Sequence, residues 1–271
     1  MTTTDSQMST IPLLEAKGIT KRFGGLVAVN DVDIHVNEGE IVGLIGPNGS
    51  GKTTLFDCLS RVQTPEEGSV RFRGQDITNK RPYKVAHLGL ARTFQVIRVY
   101  RELTVLENLE LSIQWRNVPM PKRMLRPSKA TTEKAEQLME FLLLTRLRDD
   151  IAGALSGGQR RLLEIGMSLM SDPKLVLLDE ATSGVNPSLV EEIKSRIVTV
   201  NKELGVTFLL VEHDIRFVSD LCSRVVVLNY GQKLAEGTPD EIMENTAVIE
   251  AYFGADGDDD SEVIDDGKVS S

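Results

Sequence analysis

Eight residues early in the chain have the types and the order of a phosphate-binding loop. Residues 46–53 follow the pattern G-x-x-x-x-G-K-[ST]. The glycines let successive backbone N–H groups curl around phosphate oxygens, while Lys52 can reach the β and γ phosphates of a nucleotide and Thr53 can bind Mg²⁺. The alternative is a glycine-rich turn without a ligand. The candidate phosphate-binding residues are Gly46, Pro47, Asn48, Gly49, Ser50, Gly51, Lys52, Thr53 and Thr54.

Two adjacent carboxylates, Asp179 and Glu180, follow the apolar run at residues 175–178. Ligands of α/β sheets bind at the carboxyl ends of strands, so this position suits catalysis. Because side chains alternate along a strand, we expect the two acids to point apart and to have separate roles. Asp179 would hold Mg²⁺ through its water shell, and Glu180 would orient or deprotonate an attacking water. The alternative for an isolated Asp-Glu pair is a solvated acidic strand end.

A second glycine-containing motif, Leu-Ser-Gly-Gly-Gln at residues 155–159, runs into a helical stretch. Ser156 is a candidate N-cap, and the Gly-Gly pair exposes backbone N–H groups at the helix start. The motif therefore predicts a second anion-binding surface, which could serve a nucleotide held by another copy of the chain. The alternative is a tight turn before a helix. The candidate residues are Ser156, Gly157, Gly158 and Gln159.

The strands that must position these residues form two groups. One group consists of nearly continuous apolar runs, which are typical of a parallel sheet covered by helices on both faces. The other group, residues 32–36 and 70–72, alternates apolar and polar side chains and predicts half-buried antiparallel strands. The apolar runs are residues 41–45, 175–178, 208–211 and 225–228.

Helical stretches lie between these strand candidates, at residues 52–62, 189–204 and 215–222. Residues 105–168 contain no convincing strand, and residues 133–147 have a helical period of apolar side chains. We therefore predict an inserted helical subdomain. Within it, residues 119–129 carry three prolines and several basic side chains, which indicates a solvated loop or, alternatively, a contact with lipid headgroups.

Composition excludes several functional classes. The 271 residues are 41% hydrophobic and 26% charged, as in an ordinary globular protein. Two cysteines, Cys58 and Cys222, are too few for a disulfide framework and match no metal-binding spacing. The longest apolar runs fall far short of the roughly 18 residues that span a bilayer. The first ten residues lack the features of a signal peptide, so we expect a cytosolic location.

The net charge of −9 is concentrated in an acidic tail. Residues 255–271 contribute −6, and the remaining chain has no basic excess of the kind that nucleic-acid binders usually show. We therefore expect no nucleic-acid partner. Residues 1–11 and the tail are predicted to be disordered. The acids of the tail are Asp256, Asp258, Asp259, Asp260, Glu262, Asp265 and Asp266.

The phosphate loop and the Leu-Ser-Gly-Gly-Gln motif, in this order, make the sequence resemble the ATP-binding subunits of ABC transporters over about residues 12–254. The resemblance assigns further residues. Gln95 resembles the glutamine that contacts Mg²⁺ and the attacking water, His213 the histidine that contacts the γ-phosphate, and Phe23 the aromatic that stacks on adenine. Asn186 stands where many relatives carry aspartate. Without the resemblance, we would interpret Gln95 as a surface glutamine, His213 as a structural histidine and Phe23 as a core aromatic.

The resemblance implies an α/β fold: a P-loop NTPase of the ABC type, with a mixed sheet core, an antiparallel β subdomain and an inserted α-helical subdomain. Its expected boundaries are 12–95 and 162–254 for the nucleotide-binding core and 96–161 for the helical subdomain, which contains the Leu-Ser-Gly-Gly-Gln sequence at 155–159 that is the signature motif of this family. The expected cofactors are ATP and Mg²⁺. Together the motifs at residues 20–25, 92–95 and 183–187 resemble those of importers for branched-chain amino acids.

An ATPase of this kind implies partners that the chain itself cannot replace. These are a second nucleotide-binding subunit, transmembrane permease subunits, and an external solute-binding protein. The chain would then lie at the cytoplasmic face of the membrane. Alternative functions are the ATPase of a urea or amide importer, that of lipopolysaccharide export, a soluble ABC ATPase of DNA repair or translation, and a non-catalytic nucleotide-binding scaffold.

Overall fold

The computed structural model describes residues 11–93, 98–113, 127–183 and 185–253. Gln95, the acidic tail and most of the predicted loop at 119–129 therefore lie outside the described residues. The strands are β1 (Leu14–Phe23), β2 (Leu26–Val36), β3 (Ile41–Ile45), β4 (Glu67–Phe72), β5 (Gln75–Asp76), β6 (Leu90–Arg92), β7 (Leu175–Asp179), β8 (Thr207–Val211), β9 (Arg224–Asn229) and β10 (Gln232–Gly237). The helices are α1 (Lys52–Leu59), α2 (Pro82–Ala86), α3 (Val105–Leu111), α4 (Lys129–Phe141), α5 (Gly157–Leu169), α6 (Pro187–Leu204), α7 (Ile215–Leu221), α8 (Pro239–Met243) and α9 (Thr246–Phe253).

A six-stranded sheet in the order β10-β9-β3-β8-β7-β6 forms the centre of the fold. Its strands are parallel except for β10, which pairs antiparallel with β9 at the edge. Every residue of β3, β7 and β8 is buried, as their apolar sequences predict. Because these strands run in one direction, their carboxyl ends meet at one edge of the sheet, and the predicted phosphate loop and acidic pair both lie there.

A second, four-stranded antiparallel sheet has the order β2-β1-β4-β5. Val32, Ile34 and Val36 of β2 are buried and alternate with more exposed residues, which confirms the predicted half-buried strand. The helix α1 packs beneath this sheet, and its Leu55, Phe56 and Leu59 join one hydrophobic core with residues from both sheets. The mixed sheet and the antiparallel sheet together confirm the predicted α/β fold.

Helices α3, α4 and α5 pack together on the other face of the central sheet, where their buried side chains join a second hydrophobic core. Thr104 caps α3 with a reciprocal capping box, in which its hydroxyl accepts from the Glu107 N–H and the Glu107 side chain accepts from the Thr104 N–H. An isolated antiparallel bridge joins Thr104 to Ile151. Among the described residues, no helix is both long and apolar enough to span a membrane.

Two helix boundaries differ from the sequence prediction. The stretch 133–147 is not one helix: α4 ends at Phe141, and Leu143 then adopts a left-handed backbone with φ 57° before a short 3₁₀ turn at Thr145–Leu147. The reversal buries Leu142 and Leu144 in the core while leaving Leu143 exposed, so the apolar period continues although the helix does not. Similarly, α1 ends at Leu59 because Arg61, with φ 65°, turns the chain away.

Candidate active site

A cavity of about 480 Å³ opens at the carboxyl edge of the central sheet. It is lined by residues from five separate parts of the chain, and it includes the Phe23, Glu180 and His213 side chains that were predicted from the sequence. The phosphate loop forms its floor through residues 48–54, while Gly46 and Pro47 lie outside the lining. The full lining is Phe23, Leu26, Val27, Ala28, Asn48, Gly49, Ser50, Gly51, Lys52, Thr53, Thr54, Glu180, Val211, Glu212, His213, Tyr230 and Gly231.

The phosphate loop depends on glycine at both of its ends. Gly46, at φ 149°, lies so close to the neighbouring strand that a Cβ atom would come within 2.1 Å of the Leu228 carbonyl oxygen. Gly51, at φ 98°, is the N-cap of α1, and a Cβ there would lie 2.4 Å from the Ala28 carbonyl oxygen. Only backbone fits at these two positions. Since no side chain caps α1, its first N–H groups remain available to an anion.

The turn between β9 and β10 fixes this loop from behind. The N–H of Gly231 donates to the Ser50 carbonyl at 3.0 Å, and the Gly231 carbonyl accepts from the Asn30 N–H at 2.8 Å. Tyr230 adopts φ 45° to make the turn, and it also lines the cavity. These hydrogen bonds therefore join the loop backbone to the β9–β10 turn, and the turn to β2.

Two polar groups of the loop fit a phosphate. Ser50 Oγ is buried and has no hydrogen-bond partner among the described residues. The Lys52 ammonium donates to the carbonyls of Gly46 at 2.7 Å and Pro47 at 2.8 Å, so it is held directly over the loop. Burial lowers the pKa of Lys52, and the charges of Glu180 and Asp179 oppose that effect. A triphosphate would supply both the acceptor that Ser50 lacks and the negative charge that suits Lys52.

Asp179 ends β7 beneath the cavity and is paired with a buried arginine. Arg92 Nη2 lies 3.2 Å from Asp179 Oδ2, while its other terminal nitrogen contacts Asp57 at 2.5 Å and Ser60 Oγ at 2.8 Å. Burial raises the pKa of Asp179, and the positive charge of Arg92 opposes the rise. The guanidinium also lies 5.1 Å from the centre of the Phe56 ring. This network was not predicted from the sequence, although Arg92 belongs to the motif at residues 92–95.

Glu180 lies just past the end of β7 and has a left-handed backbone with φ 46°. This conformation costs a non-glycine residue about 1–3 kcal/mol, so the surroundings must impose it. The Glu180 N–H donates to the Val211 carbonyl at 2.9 Å, and the buried Arg161 donates to the Glu180 carbonyl at 2.8 Å. Asp179 is buried and Glu180 faces the cavity, so the two acids have the separate surroundings that we expected. The turn produces this difference, since the strand ends between them.

His213 and Glu212 follow the neighbouring strand β8 and lie on the same cavity wall as Glu180. The His213 side chain is exposed, whereas Glu212 is completely buried. Glu212 accepts hydrogen bonds from the Thr182 N–H at 3.2 Å and from the Thr182 hydroxyl at 3.1 Å. Burial raises the pKa of Glu212 to about 7, and these hydrogen bonds lower it only in part. Glu212 was not predicted as a site residue from the sequence, because nothing in its spacing shows that it is buried.

The Leu-Ser-Gly-Gly-Gln motif lies outside the cavity lining of its own chain. Ser156 is the N-cap of α5: its hydroxyl accepts from the Gln159 N–H at 3.3 Å, and the Gln159 side chain accepts from the Ser156 N–H at 2.9 Å. Gly158 packs so tightly that a Cβ would meet Leu189 at 2.6 Å. The capped helix start that the sequence predicts is therefore present, but one chain does not bring it to the phosphate loop.

Phe23 and Asn186 occupy the two remaining predicted positions. The Phe23 side chain is 47% exposed at the end of β1, near the exposed apolar residues Leu26 and Val27, and the Lys21 ammonium lies 5.2 Å from the centre of its ring. Asn186 is the N-cap of α6, where its side-chain oxygen accepts from the Ser188 N–H at 3.0 Å. An amide oxygen thus caps this helix.

The family model described as ABC transporter matches residues 29–183, which span the phosphate loop, the signature motif and the acidic strand end. The chain belongs to the ABC transporter family. A second model, described as branched-chain amino acid ATP-binding cassette transporter, matches residues 232–258. As a cassette of this family, the protein is an ATPase.

Individual relatives agree with this family membership. The chain is 40% identical to the high-affinity branched-chain amino acid transport ATP-binding protein BraF of Pseudomonas aeruginosa, over 90% of this chain and 98% of BraF. The ADP conformation of MJ1267, an ATP-binding cassette of an ABC transporter, has a TM-score of 0.82 at 37% identity and covers 90% of this chain and 100% of MJ1267. The dimeric post-hydrolysis state of the cassette MJ0796, bound to ADP and Pi, has a TM-score of 0.70 at 25% identity. The match covers 83% of this chain and 98% of the MJ0796 chain.

The Arg92 network leads to a stability prediction for this ABC ATPase. Replacing Arg92 by Gln leaves Asp179 and Asp57 without their shared cation, so the free energy of unfolding should fall by about 3 kcal/mol in chemical denaturation. The matched control is Arg22→Gln, which breaks an exposed ion pair with Glu67 and should change stability by less than about 1 kcal/mol. Equal changes in the free energy of unfolding of the two variants would show that the buried network stabilises the fold no more than an exposed ion pair does.

Proposed function

We propose that this ABC ATPase energises the import of branched-chain amino acids. The observation that carries the choice of solute is the match of residues 232–258 to the branched-chain amino acid cassette model, together with 40% identity to BraF. The chain covers nearly the full length of that relative. Chemistry at the cavity is common to the whole family, so it supports ATP hydrolysis but does not select the solute.

ATP would bind with its phosphates in the loop at residues 46–54 and its base against Phe23. The backbone N–H groups of the loop, the start of α1 and the Lys52 ammonium all favour anionic oxygen, and Ser50 Oγ supplies a buried group that needs a partner. Phe23 offers a π face at the other end of the cavity, together with the apolar side chains of Leu26 and Val27. The cavity therefore fits a ligand that is anionic at one end and aromatic at the other.

Thr53 and Asp179 are the proposed protein groups for Mg²⁺, together with Gln95 from the resemblance. Among the described residues, no cluster of three or more His, Cys, Asp or Glu side chains could hold a metal alone. This donor set fits Mg²⁺, which usually takes one or two protein oxygens and completes its shell with phosphate and water. When bound, Mg²⁺ would neutralise charge on the β and γ phosphates.

Hydrolysis would use Glu180 to orient and deprotonate the attacking water, with His213 contacting the γ-phosphate. Water attacks the γ-phosphorus, the bond to the β–γ bridging oxygen breaks, and the products are ADP and phosphate. Lys52 and the loop amides stabilise the negative charge that spreads over the γ-phosphoryl oxygens. The fixed backbone of Glu180 keeps its carboxylate on the cavity wall without reorganisation.

A second copy of the chain, or a related subunit, would complete each site with Ser156, Gly157, Gly158 and Gln159. These residues lie outside the cavity of their own chain, and their helix start is suited to binding an anion. The relative MJ0796 is dimeric in a state bound to ADP and Pi. We propose the same arrangement here, in which two cassettes sandwich two ATP molecules and hydrolysis reopens the pair.

Transport requires membrane partners. We propose that permease subunits dock on the helical subdomain at residues 96–161, beside a core formed by residues 12–95 and 162–254, and that an external binding protein delivers the solute. The chain would then be held at the cytoplasmic face of the membrane. The proposed contact between cassette and permease explains how a chain without a membrane-spanning helix among its described residues can serve transport.

The proposed catalytic role of Glu180 predicts a specific loss. Glu180→Gln should reduce phosphate release by about a hundredfold or more, because a general base contributes about 10²–10⁴ to such a rate. Binding of a fluorescent ATP analogue should be unchanged, since the phosphate loop is intact. The matched control is Glu203→Gln on the exposed end of α6, which should hydrolyse ATP at the wild-type rate. Wild-type hydrolysis by Glu180→Gln would rule out the assigned role.

The choice of solute is tested by uptake in a strain that lacks this chain. Restoring the wild-type chain should restore uptake of labelled leucine, isoleucine and valine, whereas Lys52→Ala, which removes the ammonium over the phosphate loop, should not. Labelled urea and acetamide serve as the competing solutes. Restored uptake of urea or acetamide without leucine would contradict the proposed solute while leaving the ATPase assignment intact.

A further inference from the structure

Glu212 is the buried acid of the cavity wall that the mechanism above does not use. It contacts the turn that follows Glu180, where its two carboxylate oxygens separately accept the N–H and the hydroxyl of Thr182. Its side chain is completely buried, although it lies one residue before the exposed His213. Burying a carboxylate costs free energy, which indicates that the Glu212 side chain has a role that offsets this cost.

The turn that Glu212 holds is the strained one. Glu180 has φ 46°, and its N–H is fixed to the carbonyl of Val211, the residue directly before Glu212. Two residues later in the turn, Thr182 is fixed to Glu212 itself. Adjacent residues at the end of β8 therefore anchor both sides of the Glu180 backbone. The same strand end continues into His213, so the two groups proposed to act on the γ-phosphate share one support.

We propose that Glu212 is a positioning residue for ATP hydrolysis: its ionised carboxylate accepts hydrogen bonds from Thr182 and thereby holds Glu180 in its strained conformation on the cavity wall. This inference rests on the proposed function, because it assumes that Glu180 acts on the attacking water. Glu212 does not touch the reacting atoms in this scheme. It sets the distance and direction from which Glu180 approaches them.

The role requires the charged form of Glu212. As a carboxylate it accepts both hydrogen bonds from Thr182 with the help of its negative charge, whereas protonation removes that charge and leaves neutral hydrogen bonds, which are about half as strong. The groups that act on it are the Ala181 and Thr182 N–H groups, the Thr182 hydroxyl and the charge of Glu180, and the Cys222 thiol beyond α7 is close enough to feel its charge. Since burial raises the pKa of Glu212 to about 7, the hydrogen bonds by which it holds Thr182 should weaken as the pH falls through neutrality.

The stability of the folded chain should change with pH in the opposite direction to the rate of hydrolysis. An acid whose pKa is higher in the folded than in the unfolded chain holds its proton more tightly when folded, so it reduces stability as the pH rises through the folded value. Removing the charge by Glu212→Gln should therefore leave the melting temperature at about pH 8 equal to or above that of the wild type. A purely structural acid would show the reverse, because its loss lowers stability and does not change the pH profile of hydrolysis.

The test measures ATP hydrolysis by the full chain between about pH 6 and pH 8.5, with ATP binding and melting temperature measured in parallel. One charge-assisted hydrogen bond is worth about tenfold in a rate, so wild-type hydrolysis should fall about tenfold with a midpoint near pH 7. Glu212→Gln should be about tenfold slower at the upper pH, flat across the range, and unchanged in ATP binding. Thr182→Val should also be slowed, and Thr182→Ser, which keeps the hydroxyl, should recover the rate.

The matched control is Glu110→Gln, which changes another buried glutamate that accepts a threonine hydroxyl, that of Thr132 at 2.5 Å, far from the cavity. It should keep the wild-type rate and pH profile. A wild-type profile in Glu212→Gln would overturn the inference, and if that variant fails to fold, equal rates in Thr182→Val and Thr182→Ser would do so. Glu180→Gln separates the two failures: if it is inactive while Glu212→Gln behaves as wild type, only the positioning role is wrong.

Discussion

The burial of β3 between β8 and β9 is the constraint on which the site depends. All five residues of β3 are buried, and the strand is hydrogen-bonded to parallel neighbours on both sides, so its end cannot shift along the sheet. The chain leaving it must turn within a space that admits only backbone at Gly46. A loop formed under this restriction presents N–H groups rather than side chains, which is the property that phosphate recognition needs.

A second constraint acts on the neighbouring strand ends. Glu180 departs from the strand direction into a conformation that non-glycine residues avoid. Its N–H donates to the Val211 carbonyl and its carbonyl accepts from the Arg161 side chain, and these hydrogen bonds hold it there. The chain stores conformational energy at the residue that faces the cavity and offsets it with buried polar contacts behind. Arg161 belongs to α5, the helix that begins at the signature motif, so the strained residue is also tied to the surface proposed to meet a partner.

The sequence was sufficient to predict the features that arise from local pattern. Buried parallel strands appear as apolar runs, and the phosphate loop and the Ser156 cap follow from spacing. Strands β1 and β10 were not predicted, because β1 is interrupted by register shifts near Gly18 and β10 is an edge strand without a buried residue. The Arg92–Asp179 pair joins residues 87 positions apart, and the burial of Glu212 depends on the assembled sheet. Such contacts are set by tertiary packing, so no spacing rule reports them.

The central claim is that two chains share each nucleotide, since one chain places the signature motif outside its own phosphate cavity. A structure of the Glu180→Gln chain with Mg²⁺ and ATP, by crystallography or electron microscopy, tests this claim most directly. The account predicts a pair of chains in which the γ-phosphate contacts Lys52 of one chain and Ser156 of the other. ATP bound in the loop of a chain whose γ-phosphate meets no second signature motif would contradict it.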